Sequence, residues 1–187
     1  MSDSGAKAGT MRLERTASML CVVDVQERLV PAMADGDAIV ARCRRLADGA
    51  RLLGVPTLVT EQYRKGLGPT VPLLADLLPP PLEKLSFSCC GGEGFMAAIP
   101  PAARQVVLCG LETHVCVAQT ALDLLAEGYA VFLAVDAITS RHPVDRDVAL
   151  RRLEAAGAVP TTSEAILFEW CRTAAHPAFQ AVRKLVL

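Results

Sequence analysis

The sequence predicts one α/β domain built as a three-layer sandwich, in which a parallel, Rossmann-like sheet carries helices on both faces. Three observations predict it. Short apolar runs rich in Val and Leu alternate with segments of helical period. Gly54, Gly128 and Gly157 stand at the ends of the helical segments, just ahead of the next apolar run. The short connections imply right-handed crossovers between parallel strands. At 187 residues the chain fits a single domain that buries roughly 70% of its unfolded surface without disulfide or metal staples.

The elements follow in order. Residues 1–17 are polar and mixed in charge with no apolar h-region, so they read as a flexible N-terminal tail rather than a signal peptide, and the domain is expected over 18–187. Residues 19–25 read as a buried strand, 38–53 as a crossover helix closed by Gly54, and 56–60 as the second strand. The stretch 63–101 breaks the rhythm with a concentration of Gly and Pro; it predicts loops, short helices and a short strand around 83–85. Such a stretch is expected to wall a pocket or contact a neighbouring subunit. Beyond it come a strand at 105–109, a helix at 115–127, a strand at 130–135, a helix at 144–156 and a strand at 158–162. Asp24, Glu112 and Asp123 interrupt the best apolar runs, so no membrane-spanning helix is expected.

Composition narrows the partners. Lys and Arg total 19 against 20 for Asp and Glu, which leaves no overall field to gather nucleic acid or an anionic membrane. A small-molecule substrate suits that balance. Hydrophobic residues reach 52% with only 4% aromatic, an excess of Ala, Val and Leu that fills tight layers and predicts a homo-oligomer. Seven cysteines, an odd number with no framework spacing, point to a reducing cytoplasm.

In an open parallel sheet, ligands bind outside the carboxyl ends of the strands. Asp24 closes the run 19–23, where a buried carboxylate needs a cation or donor beside it; the alternative is a cap for the next turn. Gln26 would face the same side and reads as a hydrogen-bonding orienter. The strand 105–109 runs through Gly110 into Cys116 and a helix, with Thr113 as the expected N-cap. Cys116 would then lie where free N–H groups and the helix dipole stabilise an anion, which predicts a lowered thiol pKa; the alternative is a small apolar residue packed at a helix start. Lys84 lies between a Pro run and a Gly-rich segment. Alone it reads as a solvated surface lysine, but beside Asp24 and a thiolate it would hold both in their charged forms.

These residues resemble the isochorismatase-like superfamily of cysteine hydrolases over roughly 17–187. Val23-Asp24-Val25-Gln26 looks like that family's D-x-Q strand end, Lys84 with Ser86 and Phe87 resembles its K-x-x-F segment, and Gly110 to Val117 matches G-x-x-T-x-x-C-V. The stretch from Asp136 to Pro177 looks especially like the isochorismatase-domain-containing subgroup. The resemblance implies that Asp24 takes the thiol proton and later activates water, Lys84 stabilises charge, and Cys116 attacks a carbonyl to form a thioester. It also implies a cis peptide between Leu111 and Glu112, aiming the backbone N–H groups of Glu112 and Cys116 at an oxyanion.

Departures from the family narrow the reading. Nicotinamidases carry a metal-binding Asp and His set after the second strand, whereas this chain has Thr60-Glu-Gln-Tyr-Arg-Lys-Gly there, so no metal and no cofactor are expected. His142 and His176 each precede Pro and read as helix-start residues, and His114 would diverge from Cys116. Cys89 and Cys90 read as packing or pocket lining ahead of a redox pair. Gln26, Phe87 and Tyr63 are candidate substrate-binding residues. The expected activity is hydrolysis of a small amide, carbamoyl or related acyl compound; the alternative is a catalytically idle member that binds a small ligand or works through assembly.

Overall fold

The computed structural model describes residues 12–187. In chain order the strands are β1 (Ser18–Val23), β2 (Thr57–Gln62), β3 (Leu82–Lys84), β4 (Gln105–Leu111), β5 (Ala130–Thr139) and β6 (Val159–Thr161). All pair in parallel, in the order β3-β2-β1-β4-β5-β6. The helices are α1 (Gly36–Leu53), the one-turn α2 (Arg64–Leu67), α3 (Pro72–Ala75) and α4 (Phe95–Ala98), then α5 (Ala118–Ala126), α6 (Pro143–Ala155), α7 (Ser163–Cys171) and α8 (Phe179–Val186). The parallel sheet read from the apolar runs is present, and Gly54, Gly128 and Gly157 end their helices with positive φ.

Every residue of β1 is buried, because the strand is central and both faces are covered. Its side chains alternate. Leu20 and Val22 pack in a cluster with Leu46, Ile166, Trp170 and Val182 of α1, α7 and α8. Met19, Cys21 and Val23 join Val117, Ala121, Leu124 and Leu153 on the α5 and α6 side.

From β1 the chain winds outward through β2 to β3, then returns to lay β4 on the other side of β1. The strand order therefore reverses between β1 and β4, and the crevice outside their carboxyl ends is where such sheets bind ligands. Val23 pairs with both Thr60 and Gly110, which levels the ends of the three strands. Gly110 has φ +113°, and a Cβ there would lie 2.0 Å from the Val23 carbonyl oxygen. Only glycine permits this approach.

Several boundaries differ from expectation. The first strand stops at Val23, not at residue 25, because Asp24 turns the chain with φ +51°. β5 runs on to Thr139, past a register shift between Leu108 and Gly110. The helix expected from His176 begins at Phe179 as α8, while α7 has no counterpart among the expected elements; it is capped by Thr162, whose hydroxyl accepts from Ala165 N at 3.3 Å, and by Asp136, which accepts from Ser163 N at 2.7 Å. Of the expected 1–17 tail, residues 1–11 lie outside the described residues. Residues 12–17 pack on the domain: Leu13 is fully buried and Arg15 Nη1 donates to the Leu53 carbonyl at 2.9 Å. Among the described residues, no helix is long and apolar enough to cross a membrane.

Candidate active site

Asp24 is fully buried directly beyond β1, where it could not stay ionised alone. Two donors satisfy it. Lys84 Nζ donates to Oδ2 at 2.7 Å and Thr60 Oγ1 donates to Oδ1 at 2.7 Å. Lys84 ends the edge strand β3, and its long side chain lies beneath the surface to reach Asp24, with only 1% of it exposed. Its ammonium also meets Gln62 Oε1 at 2.8 Å and the carbonyls of Phe87 at 3.1 Å and Ser86 at 3.3 Å. Three N–H bonds face four acceptors, so the group is saturated. Burial pulls the Lys84 pKa down, but the charges of Asp24 and Cys116 outweigh it, and the net direction is up.

The nucleophile candidate comes from the other side of the switch point. The Leu111–Glu112 peptide is cis, and Thr113–Val117 then form a single π turn that leads into α5. Such turns are wider than an α-turn and occur often at functional sites. Two expectations are corrected here. Thr113 is not the N-cap: Glu112 holds that place, its carbonyl accepting from Val115 N at 3.1 Å and Val117 N at 3.2 Å, while Thr113 Oγ1 is buried without a partner among the described residues. The Cys116 thiol pKa is raised, not lowered. Burial does most of this, the nearby Asp24 carboxylate adds to it, and the Lys84 ammonium offsets only part.

Cys116 opens on a cavity of about 250 Å³ lined by Leu29, Gln62, Leu67, Phe87, Val115 and Arg141, together with Glu112. Phe87 is thus a wall of the cavity, 54% exposed. Tyr63 is not: it is exposed on a neighbouring groove with Glu83, Ser86 and Gly92, because its left-handed φ of +38° swings it off the line of β2. Gln26 is fully buried and does not line the cavity, which corrects its expected contact with substrate. Its amide donates to the carbonyls of Gln62 at 3.0 Å and Gly68 at 2.7 Å and accepts from Gln62 N at 2.8 Å, fastening the cavity wall around Leu67 to the end of β2.

Sequence reasoning passed over Thr60, Gln62 and Arg141. Thr60 and Gln62 alternate at the end of β2, a signal available from the strand-end rule applied to Asp24. Arg141 lies where no local pattern marks it; its Nε and backbone N–H both bind the Glu112 carboxylate, at 3.1 Å and 3.0 Å to Oε2. His114 faces α6, with Nδ1 2.9 Å from Ser140 Oγ and Nε2 3.9 Å from Asp145.

Comparison with known proteins gives a consistent picture. A family model described as "Isochorismatase domain" matches residues 18–165. Isochorismatase domain-containing protein 2 of Bos taurus is 43% identical over 183 residues, covering 98% of this chain and 89% of its own. Among solved structures, the MAR1 ribonuclease from Caenorhabditis elegans is 42% identical with a TM-score of 0.88, over 94% of this chain and 92% of that one. YcaC from Pseudomonas aeruginosa, described with hexane-2,5-diol and covalent acrylamide, is 30% identical with a TM-score of 0.87, over 94% and 92%. The Escherichia coli YcaC gene product, described as an octameric hydrolase of unknown specificity, is 27% identical with a TM-score of 0.81, over 94% of each chain.

Proposed function

This chain belongs to the isochorismatase family of hydrolases, and from that premise we propose that it is a cysteine-dependent hydrolase of a small amide, carbamoyl or related acyl compound. The observation that carries the reading is the sealed Asp24–Lys84 ion pair, whose charges act on the Cys116 thiol where that thiol opens on a cavity of about 250 Å³. That volume lies near the lower end for small-molecule sites and favours a small substrate.

The resting pair is a thiol on a carboxylate, which suits attack with general-base help. Asp24 takes the proton as Cys116 Sγ bonds to the carbonyl carbon, and the oxyanion forms against the backbone N–H groups of Glu112 and Cys116. The C–N bond then breaks, and the leaving nitrogen takes the proton back from Asp24. Water, deprotonated by Asp24, attacks the thioester; the acid leaves and the thiol is restored. Lys84, saturated by its acceptors, acts by charge: it balances Asp24 before the transfer and the thiolate after it. Val115 and Phe87 would bracket the substrate's apolar part. No metal or cofactor enters this scheme.

Mass spectrometry tests the reading. Incubation with a panel of small amides is expected to leave an acyl adduct on Cys116, and Cys116→Ala is expected to abolish turnover while the protein still folds; hydrolysis that persists in that variant sinks the mechanism. RNA belongs in the same panel, since the C. elegans relative is described as a ribonuclease. The cavity's arginine is paired with Glu112, so the two together offer a phosphodiester little net positive charge. A folded protein whose Cys116 stays inert throughout would favour a catalytically idle binding or assembly role. By analogy with the octameric relative, and with Leu85, Val144 and Val148 exposed, the chain is read as a homo-oligomer, which light scattering checks. Its seven free thiols suit a reducing, cytoplasmic setting.

A further inference from the structure

The end of β2 holds both halves of the buried ion pair. Thr60 and Gln62, two residues apart, point to one side of the strand; the first donates to Asp24 Oδ1 at 2.7 Å and the second accepts from Lys84 Nζ at 2.8 Å. Thr60 is 1% exposed, and its Oγ1 also lies 3.6 Å from Cys89 Sγ. A threonine hydroxyl has one proton, and an ionised carboxylate can only accept. The Thr60 proton therefore goes to Asp24, and Cys89 is the donor to Thr60. Cys89 is in turn held by Thr120, whose hydroxyl accepts from Cys89 N at 2.9 Å. The hydroxyl direction is fixed by its surroundings.

We propose that Thr60 is a positioning residue of the catalytic carboxylate: its buried hydroxyl, oriented by Cys89, favours ionised Asp24 and turns that carboxylate toward the Cys116 thiol. The proposal rests on Asp24 being the base. The step it serves breaks the Cys116 S–H bond and forms an O–H bond on Asp24, leaving the thiolate beside Lys84, with no change of oxidation state. A charge-assisted hydrogen bond is stronger to the carboxylate than to the acid, so its loss makes the carboxylate hold a proton at higher pH. The titratable groups whose charges act together with that of Asp24 are Lys84 from β3, Cys116 from the π turn, Cys89 from the 89–91 turn and Cys21 from β1 itself.

The test is the pH dependence of covalent addition of acrylamide to the intact protein, with the adduct on Cys116 quantified by peptide mass. At low pH the rate rises as protons are lost. It levels off where Asp24 becomes ionised, because further thiolate then arises only by handover of the proton to Asp24. Asp24→Asn is expected to remove this break. Thr60→Val is expected to move the break up by about one pH unit and to raise the plateau about tenfold, since a more basic carboxylate takes the thiol proton more readily. Thr60→Ser is expected to restore the wild-type profile, which a merely structural role for the methyl group would not do. Thr60→Ala gives the same reading as Thr60→Val should the valine variant fail to fold. A break that Asp24→Asn removes but that neither hydroxyl-free variant shifts overturns this proposal and leaves the base assignment standing. A break that survives in Asp24→Asn belongs to another group, such as Cys89, and overturns both.

Discussion

Replacing Lys84 with Met should be among the most damaging single changes in this protein, although the residue touches no core side chain that methionine could not match. The Lys84 and Asp24 side chains are 1% and 0% exposed and 2.7 Å apart. Methionine keeps most of the stem and removes the charge, leaving a buried carboxylate with Thr60 as its remaining neutral donor and Gln62 Oε1 without a partner. Breaking a buried pair in this way costs about 3–5 kcal/mol. For a domain of this length each kcal/mol moves the melting midpoint by roughly 2–4 °C, so a fall of about 12 °C is expected at neutral pH. Asp24→Asn combined with Lys84→Met removes both charges and should recover most of the loss, giving a coupling of about 3 kcal/mol in a double-mutant cycle from urea unfolding. The Lys84 pKa is raised by the net effect of its neighbours. A lysine raised on folding contributes its stability fully below the ordinary value of about 10.4 and loses it as pH climbs through the folded value. The gap between wild type and Lys84→Met should therefore stay constant through neutral pH and shrink only in strong alkali. Single and double variants that both melt within about 2 °C of wild type would refute the picture of a sealed, interdependent pair.

Two further outcomes probe the geometry from other sides. Asp24→Asn should separate reactivity from catalysis: without the carboxylate that helps to raise the Cys116 thiol, iodoacetamide should label Cys116 about tenfold faster at pH 7.5, while turnover falls by about a hundredfold or more for want of the proposed base; slower labelling would contradict the upward effect of Asp24 on the thiol. Gly110→Ala should cost more than about 3 kcal/mol, from a left-handed φ combined with a backbone clash against Val23 O at 2.0 Å, read as a lost melting transition or insoluble protein; a variant with wild-type stability would mean that β1 and β4 do not approach so closely.

Much of this site was legible in the sequence because its carriers sit at punctuation marks. An acidic residue ending an all-apolar run, and a cysteine just past a strand, a glycine and a turn, are visible without coordinates, since the burial of β1 and the close approach at Gly110 leave direct traces in residue type. Lys84 could be named only by resemblance. Its charge is balanced by groups 60 and 22 positions away, Asp24 and Gln62, and a single sequence holds no trace of that meeting. Arg141 leaves no trace for the same reason, since it acts through one partner from a remote segment, whereas Thr60 stands at a strand end and carries the same mark as Asp24. Helix position alone lowers a thiol pKa, but burial and the nearby Asp24 carboxylate, neither marked in the local sequence, raise it. Burial depends on the 85–92 loop and on Leu29 and Leu67 closing over the strand ends, none of which a local pattern reveals.

The reversal of the Cys116 pKa changes what kind of nucleophile this fold builds. A preformed thiolate would need a strong local cation, yet Lys84 already holds Asp24 and three other acceptors. In the proposed mechanism the Lys84 charge turns to sulfur as the thiol proton passes to Asp24. Nucleophile and base are thereby switched on together, and a thiol that stays protonated between turnovers is also shielded from oxidation, which requires the thiolate. If Thr60 positions the carboxylate as proposed, a buried hydroxyl with no route to the substrate would govern how readily the sulfur becomes reactive.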